Sequence, residues 1–168
     1  MLKRIVCTLL LVLVSCGCSR NTPNISVPER FIWITSTSDV NVYYDPQTII
    51  YPSDYNNGIS ESFSPDYKIP LWISWNYTKD GARKKVKDNR AKGLWKEAKW
   101  DNFSYILEHQ VISKNLYKSH EIIYYNVNGN VIDSKTYDQN TKWQSIVPGT
   151  IEEVIRDKFI YVPTVKLS

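Results

Sequence analysis

The sequence predicts an α+β domain: a single antiparallel β-sheet of six to eight strands, with one longer helix and a short C-terminal helix packed on it. Three observations lead there. Short runs rich in Val, Ile, Tyr and Trp recur between turn residues, as in VNVYY at 40–44 and KIPLWISWNYT at 68–78. Asn128-Gly129 joins two further runs of that kind and is the strongest hairpin signal in the chain, because Asn-Gly tolerates the positive φ of a type I′ turn. The stretch 79–102 has few β-branched residues and spaces Ala82, Val86, Leu94 and Ala98 roughly as a helix does.

The elements follow in order. Strand candidates occupy 31–35, 40–44 and 48–51, with Asp45-Pro46 as the break between the second and third. Residues 52–66 are rich in Ser, Asn and Pro and read as a long loop, either a surface loop or part of a site. The strand at 68–78 should place Leu71, Ile73 and Trp75 on one face and Trp72, Ser74 and Asn76 on the other. A helix from about 79 to 99 comes next, with Gly93 as a point of interruption. Long strands at 103–112 and 116–127 then lead into the Asn128-Gly129 hairpin and its return strand at 131–137. A short strand at 143–147 precedes Pro148-Gly149, and Thr150 can cap a helix over 151–159 with Glu152 and Glu153 in its first turn. Residues 160–162 read as an edge strand.

The first twenty residues differ from all of this. Lys3 and Arg4 are followed by an apolar run over 5–14, the length of a secretory leader and too short to span a bilayer as a helix. Leu13-Val14-Ser15-Cys16 resembles a bacterial lipobox. That resemblance implies a signal peptide over 1–15, cleavage before Cys16 and acylation of its thiol, a good nucleophile once ionised. Several acyl chains, at about 0.8 kcal/mol per buried methylene, would hold the protein to a membrane. The alternative is an ordinary leader cut elsewhere, with Cys16 and Cys18 free or bridged. Residues 16–28 are polar with two prolines and read as a spacer, leaving 29–168 as one domain.

Composition narrows the chemistry. The formal net charge is +4, and loss of Lys3 and Arg4 with the leader brings it to about +2, which argues against nucleic-acid binding by the whole surface. The three cysteines are Cys7, Cys16 and Cys18, so the domain has neither a disulfide nor a cysteine metal site. No nucleophile elbow, P-loop or dinucleotide motif occurs, and His109 and His120 lack metal-ligand spacing. These features point to a protein that is not an enzyme and needs no cofactor. One feature is uneven. Nine Lys and Arg residues fall within 79–102 against Asp80, Asp88, Glu97 and Asp101. Within it, Arg83, Lys84, Lys85, Lys87 and Arg90 form a candidate binding patch for an acidic partner. The plainer reading is a solvated helix face. The aromatic residues could form a carbohydrate platform, though such residues on strands usually make core or cross-strand pairs.

Several pieces in sequence order resemble the surface-adhesin Protein E family of bacterial lipoproteins. They are Phe31-Ile32-Trp33-Ile34, Val42-Tyr43-Tyr44-Asp45-Pro46 with Ile49, Leu71-Trp72, Tyr124-Tyr125 with Gly129-Asn130-Val131, and Trp143 with Val147-Pro148-Gly149-Thr150. The resemblance implies an antiparallel sheet with a packed helix, displayed at the cell surface or outer membrane. In the namesake adhesin it implies binding to host matrix and serum proteins such as laminin, vitronectin and plasminogen. The chain departs from the family in lacking a cysteine pair in the domain and in carrying the basic segment. Two functions are therefore in view: an adhesin-like, lipid-anchored binding protein, or an envelope lipoprotein that holds a partner inside the envelope and meets no host ligand. The anchor is directly testable. Mass spectrometry should find Cys16 as an acylated N-terminus, and Cys16→Ala should release the protein from membranes; unchanged membrane association of the variant would refute lipidation at Cys16.

Overall fold

The computed structural model describes residues 29–51, 67–138 and 140–160. The leader, Cys16, the spacer, the 52–66 loop and residues 161–162 lie outside the described residues. The described residues form one seven-stranded antiparallel sheet with two helices. The strands are β1 (Ile32–Ser36), β2 (Val40–Tyr44), β3 (Ile69–Tyr77), β4 (Phe103–Ile112), β5 (Leu116–Asn126), β6 (Val131–Thr136) and β7 (Gln144–Ser145). Helix α1 (Lys79–Ala91) connects β3 to β4, and α2 (Ile151–Ile160) follows β7. The strand order β1-β2-β3-β4-β5-β6 is a meander, with β7 pairing to the early end of β5.

Alternation along the strands builds two unlike faces. Leu71, Ile73, Trp75 and Tyr77 of β3 sit in register with inward residues of β2 and β4, such as Val42 opposite Trp75 and Ile106 opposite Trp75. Both helices lie on this face. Trp72, Ser74 and Asn76 occupy the other, as the alternation predicts. The core is divided. Under α2, Ile155, Phe159 and Ile160 pack with Ile34, Val42, Leu71 and Ile112. Under α1, Ala82 and Val86 pack with Trp100, Phe103 and Ile106. Trp75 and Tyr77 touch both clusters.

Three expected elements are corrected. The 48–51 strand does not form. Asp45 caps a short 3₁₀ turn over Pro46–Thr48 by accepting from the Gln47 N–H, and the Thr48 hydroxyl accepts from the Trp72 N–H. These local bonds take the place of a ladder. The long helix stops at Ala91, not 99. Gly93 adopts φ 78° and closes a Schellman motif, with Gly93 N–H bonded to the Arg90 carbonyl and Leu94 N–H to the Asn89 carbonyl. Ile160 ends α2 as a buried core residue and does not begin an edge strand. The Asn128-Gly129 hairpin forms, but not as type I′. Only Gly129 has positive φ, at 78°, and the Asn126 carbonyl accepts from its N–H, the pattern of a longer turn closed by a left-handed glycine.

Helix α1 is fixed at its start. Thr78 caps it by accepting from the Gly81 N–H, while the Thr78 hydroxyl and N–H bond back to the Asp39 carbonyl. The helix thereby meets the β1–β2 turn so closely that a Cβ on Gly81 would stand 2.0 Å from the Asp39 carbonyl oxygen. Gly81→Ala should therefore cost about 1–3 kcal/mol through overpacking, despite alanine's better helix propensity. Gly129→Val should cost about 1–2 kcal/mol for a different reason, the positive φ, since a Cβ there meets nothing nearer than the Tyr105 hydroxyl at 3.9 Å. Urea unfolding of both variants checks these values; wild-type stability of Gly81→Ala would refute the close contact.

Candidate functional site: two recesses on opposite sides of helix α1

The five candidate basic residues do not share one surface. Arg83, Lys87 and Arg90 line one groove, joined by Lys79 in a 4-4-3 spacing along α1. Lys84 turns to the β1–β2 turn, where its Nζ lies 2.7 Å from Asp39 Oδ2. That pairing holds the Asp39 carboxyl below its ordinary range, chiefly through the hydrogen bond, and raises Lys84. Lys85 faces the opposite side of the helix, with its Nζ 5.9 Å from the Tyr77 ring centre. Sequence spacing placed Arg83, Lys87 and Arg90 together correctly. It could not show that Lys84 and Lys85 leave the patch, because that depends on which neighbours flank the helix.

The groove encloses about 830 Å³. Its floor is apolar, from Ala82, Val86, Tyr77 and Phe103, and its far wall holds Asp101, Asn102 and Val127. The cations are unequally engaged. Arg90 is tied to Asp101 at 2.6 Å and to the Trp95 carbonyl at 3.1 Å. Arg83 has only a loose contact with Asp80, at 3.5 Å between two exposed groups. Lys79 and Lys87 make no ion pair with the described residues. Like charges one helical turn apart repel, so a groove of this kind favours an anion.

The second recess encloses about 640 Å³ between α1, the 94–100 segment, the sheet and Glu152 of α2. Aromatic rings build its walls. Trp95 stacks on Trp100 at 4.1 Å with the planes 2° apart, and Tyr124 meets both edge-on at 5.4 and 5.3 Å. Trp95 is itself in the left-handed region, at φ 48°. Glu108 of β4 lines the recess and is 8% exposed. The Ser119 hydroxyl donates to its Oε1. Burial pushes the Glu108 carboxyl up, and contacts with Ser119, Gln110 and Trp75 oppose that in part. Burial also pushes the Tyr124 phenol up to about 12.

This second recess was missed at the sequence level. A signal existed: inward positions 106, 108, 110 and 112 of β4 read Ile-Glu-Gln-Ile, with two polar residues where a core strand should be apolar. His109 and His120 lie on adjacent strands, and the fold brings their rings together beside Trp72. Their ring centres are 5.7 Å apart, and Trp72 stacks on His109 at 5.1 Å. Burial and the neighbouring His120 lower the His109 pKa. Among the described residues no cluster of His, Cys, Asp and Glu has a metal-binding arrangement, and no helix is long and apolar enough to cross a membrane. No protein-family model matches the chain, and neither a curated protein nor a solved structure does.

The buried carboxyl makes stability depend on pH in a defined direction. Because its pKa is raised, native Glu108 holds its proton more tightly than the unfolded chain does. Its stabilising contribution is complete below the ordinary carboxylate value and is lost as pH rises through the raised one. Glu108→Gln keeps an acceptor for Ser119 and removes the ionisation. Its melting temperature should exceed that of the wild type at about pH 8, with the difference shrinking toward about pH 4. A variant less stable than wild type at the higher pH would show that the buried carboxylate is net favourable.

Proposed function

We propose that this chain is a lipid-anchored, adhesin-like binding protein of the cell envelope, held to the membrane through Cys16, and that it grips an acidic macromolecule along the α1 groove. The observation that carries this reading is the row Lys79, Arg83, Lys87 and Arg90 lining one groove with an apolar floor. Two of these cations have no ion-pair partner among the described residues and a third has a weak one. A domain of nearly balanced charge has thus gathered exposed positive charge along one edge of one helix. Sulfated glycans, and acidic segments of matrix or serum proteins, supply the repeated anions that such a row fits. The apolar floor adds area that simple ion pairing would not use. The leader and the family-like order of motifs support display at the cell surface, where such partners occur.

Heparin serves as the probe. The full-length protein in detergent should bind it with an affinity that falls steeply with salt, since attraction between exposed charges is screened over about 8 Å at physiological ionic strength. Combined Lys79→Gln, Arg83→Gln and Lys87→Gln should weaken binding roughly tenfold or more, on the usual scale of exposed charge pairs. Lys84→Gln, on the Asp39 side of the helix, should have little effect. Equal binding by wild type and the triple variant, or an affinity indifferent to salt, would overturn the groove as the binding surface.

A further inference from the structure

We propose that the aromatic recess on the other side of α1 is a second binding site, and that its ligand is a short neutral oligosaccharide. The volume of about 640 Å³ falls within the roughly 300–1,000 Å³ of small-ligand sites. The charges on its lining choose among ligand classes. Glu97, Asp133 and Glu152 would repel an anion. An organic cation would meet Lys85 and Lys135 on the lining, which already sit over two of its rings, with Lys135 Nζ 4.7 Å from the Tyr137 ring centre and Lys85 Nζ 5.9 Å from that of Tyr77. A neutral polyol uses both signs. Each sugar hydroxyl can donate to a carboxylate and accept from an ammonium or from the Asn89 amide, which also lines the recess.

The rings supply the other half of sugar recognition. A pyranose presents a face of C–H bonds, and a flat aromatic side chain matches it with little loss of rotamer freedom. Trp95 is suited to this because it is held in place before any ligand arrives. The buried Trp100, 3% exposed, backs one face of its ring, and the edge of Tyr124 braces both indoles. Its backbone φ of 48° is an outlier for a bulky residue. Strain of that kind persists where the surroundings over-determine it, commonly at ligand sites. Trp95, half-buried where Trp100 is fully buried, lines the recess together with Glu108. The site is separate from the cationic groove: α1 stands between them, and of the residues used here only Tyr77 lines both.

The test is binding of the full-length protein to an array of neutral and acidic glycans, followed by titration of the best neutral glycan with tryptophan emission as the readout. At least one neutral glycan should be retained, with an affinity that changes little between low and high salt, and the emission should shift on saturation. Trp95→Ala should lower that affinity about tenfold or more. Asp133→Asn, an isosteric change at an exposed position, should weaken it as well and guards against a folding defect in the tryptophan variant. The Lys79, Arg83 and Lys87 triple variant should bind the neutral glycan like wild type even where heparin binding is lost. Retention of acidic glycans alone, wild-type affinity in both Trp95→Ala and Asp133→Asn, or loss of the neutral glycan in the groove variant would overturn the proposal.

Discussion

Helix α1 is located by one contact, the seating of Gly81 against the Asp39 carbonyl. With a Cβ-to-oxygen distance of 2.0 Å in prospect, no larger residue can take that place without moving the helix or the β1–β2 turn. Thr78 closes the junction by capping the helix and bonding back to the same carbonyl, and Lys84 adds an ion pair to the Asp39 side chain. The turn between the first two strands thus sets the position of a helix that begins forty residues later. Both recesses depend on that position, because α1 forms a wall of each.

Among the described residues both helices pack on one face of the sheet, and the cover they give it is in two parts. Along β4, Ile106 belongs to the cluster beneath α1 and Ile112 to the cluster beneath α2. Glu108 and Gln110 lie between them, with Ser119 opposite Gln110 on β5. A continuous apolar core would have let the helices close over the sheet. Buried polar groups need partners and make a dry contact costly. The space between the helices consequently stays open, and its floor is a carboxyl whose ionisation burial disfavours. The recess and the split core are two aspects of the same choice of residues on β4.

Charge is distributed to match. The groove side of α1 carries cations that the described residues leave largely unneutralised, while the recess side mixes acids, two lysines and indole rings. A helix so loaded with Lys and Arg has little apolar surface, and its buried residues are only Gly81, Ala82 and Val86. Small side chains let the backbone lie close to β3 and β4. The stability of the helix then comes from its cap, its close seating and the aromatic cluster at its far end, more than from a broad hydrophobic face.

The order of strands and helices was written in local residue choice. Alternation in β3, the Asn128-Gly129 turn, the start of α2 after Pro148-Gly149-Thr150 and the inward placement of Ala82 and Val86 all follow from short-range periodicity and turn chemistry. So does the grouping of Arg83, Lys87 and Arg90, since helix geometry alone puts them on one side. Sequence fell short where a distant partner made the decision. Residues 48–51 have strand composition, but Asp45 and the Trp72 N–H drew the chain into a 3₁₀ turn. Lys84 and Lys85 belong to the same basic run, but Asp39 and Tyr77 draw them to other surfaces. The aromatic recess unites residues from β3, α1, the 94–100 segment, β4, β5, β6 and α2. Local periodicity can say that Glu108 points inward. Only the packing of two helices over a sheet, with a gap between them, decides that it points into a space.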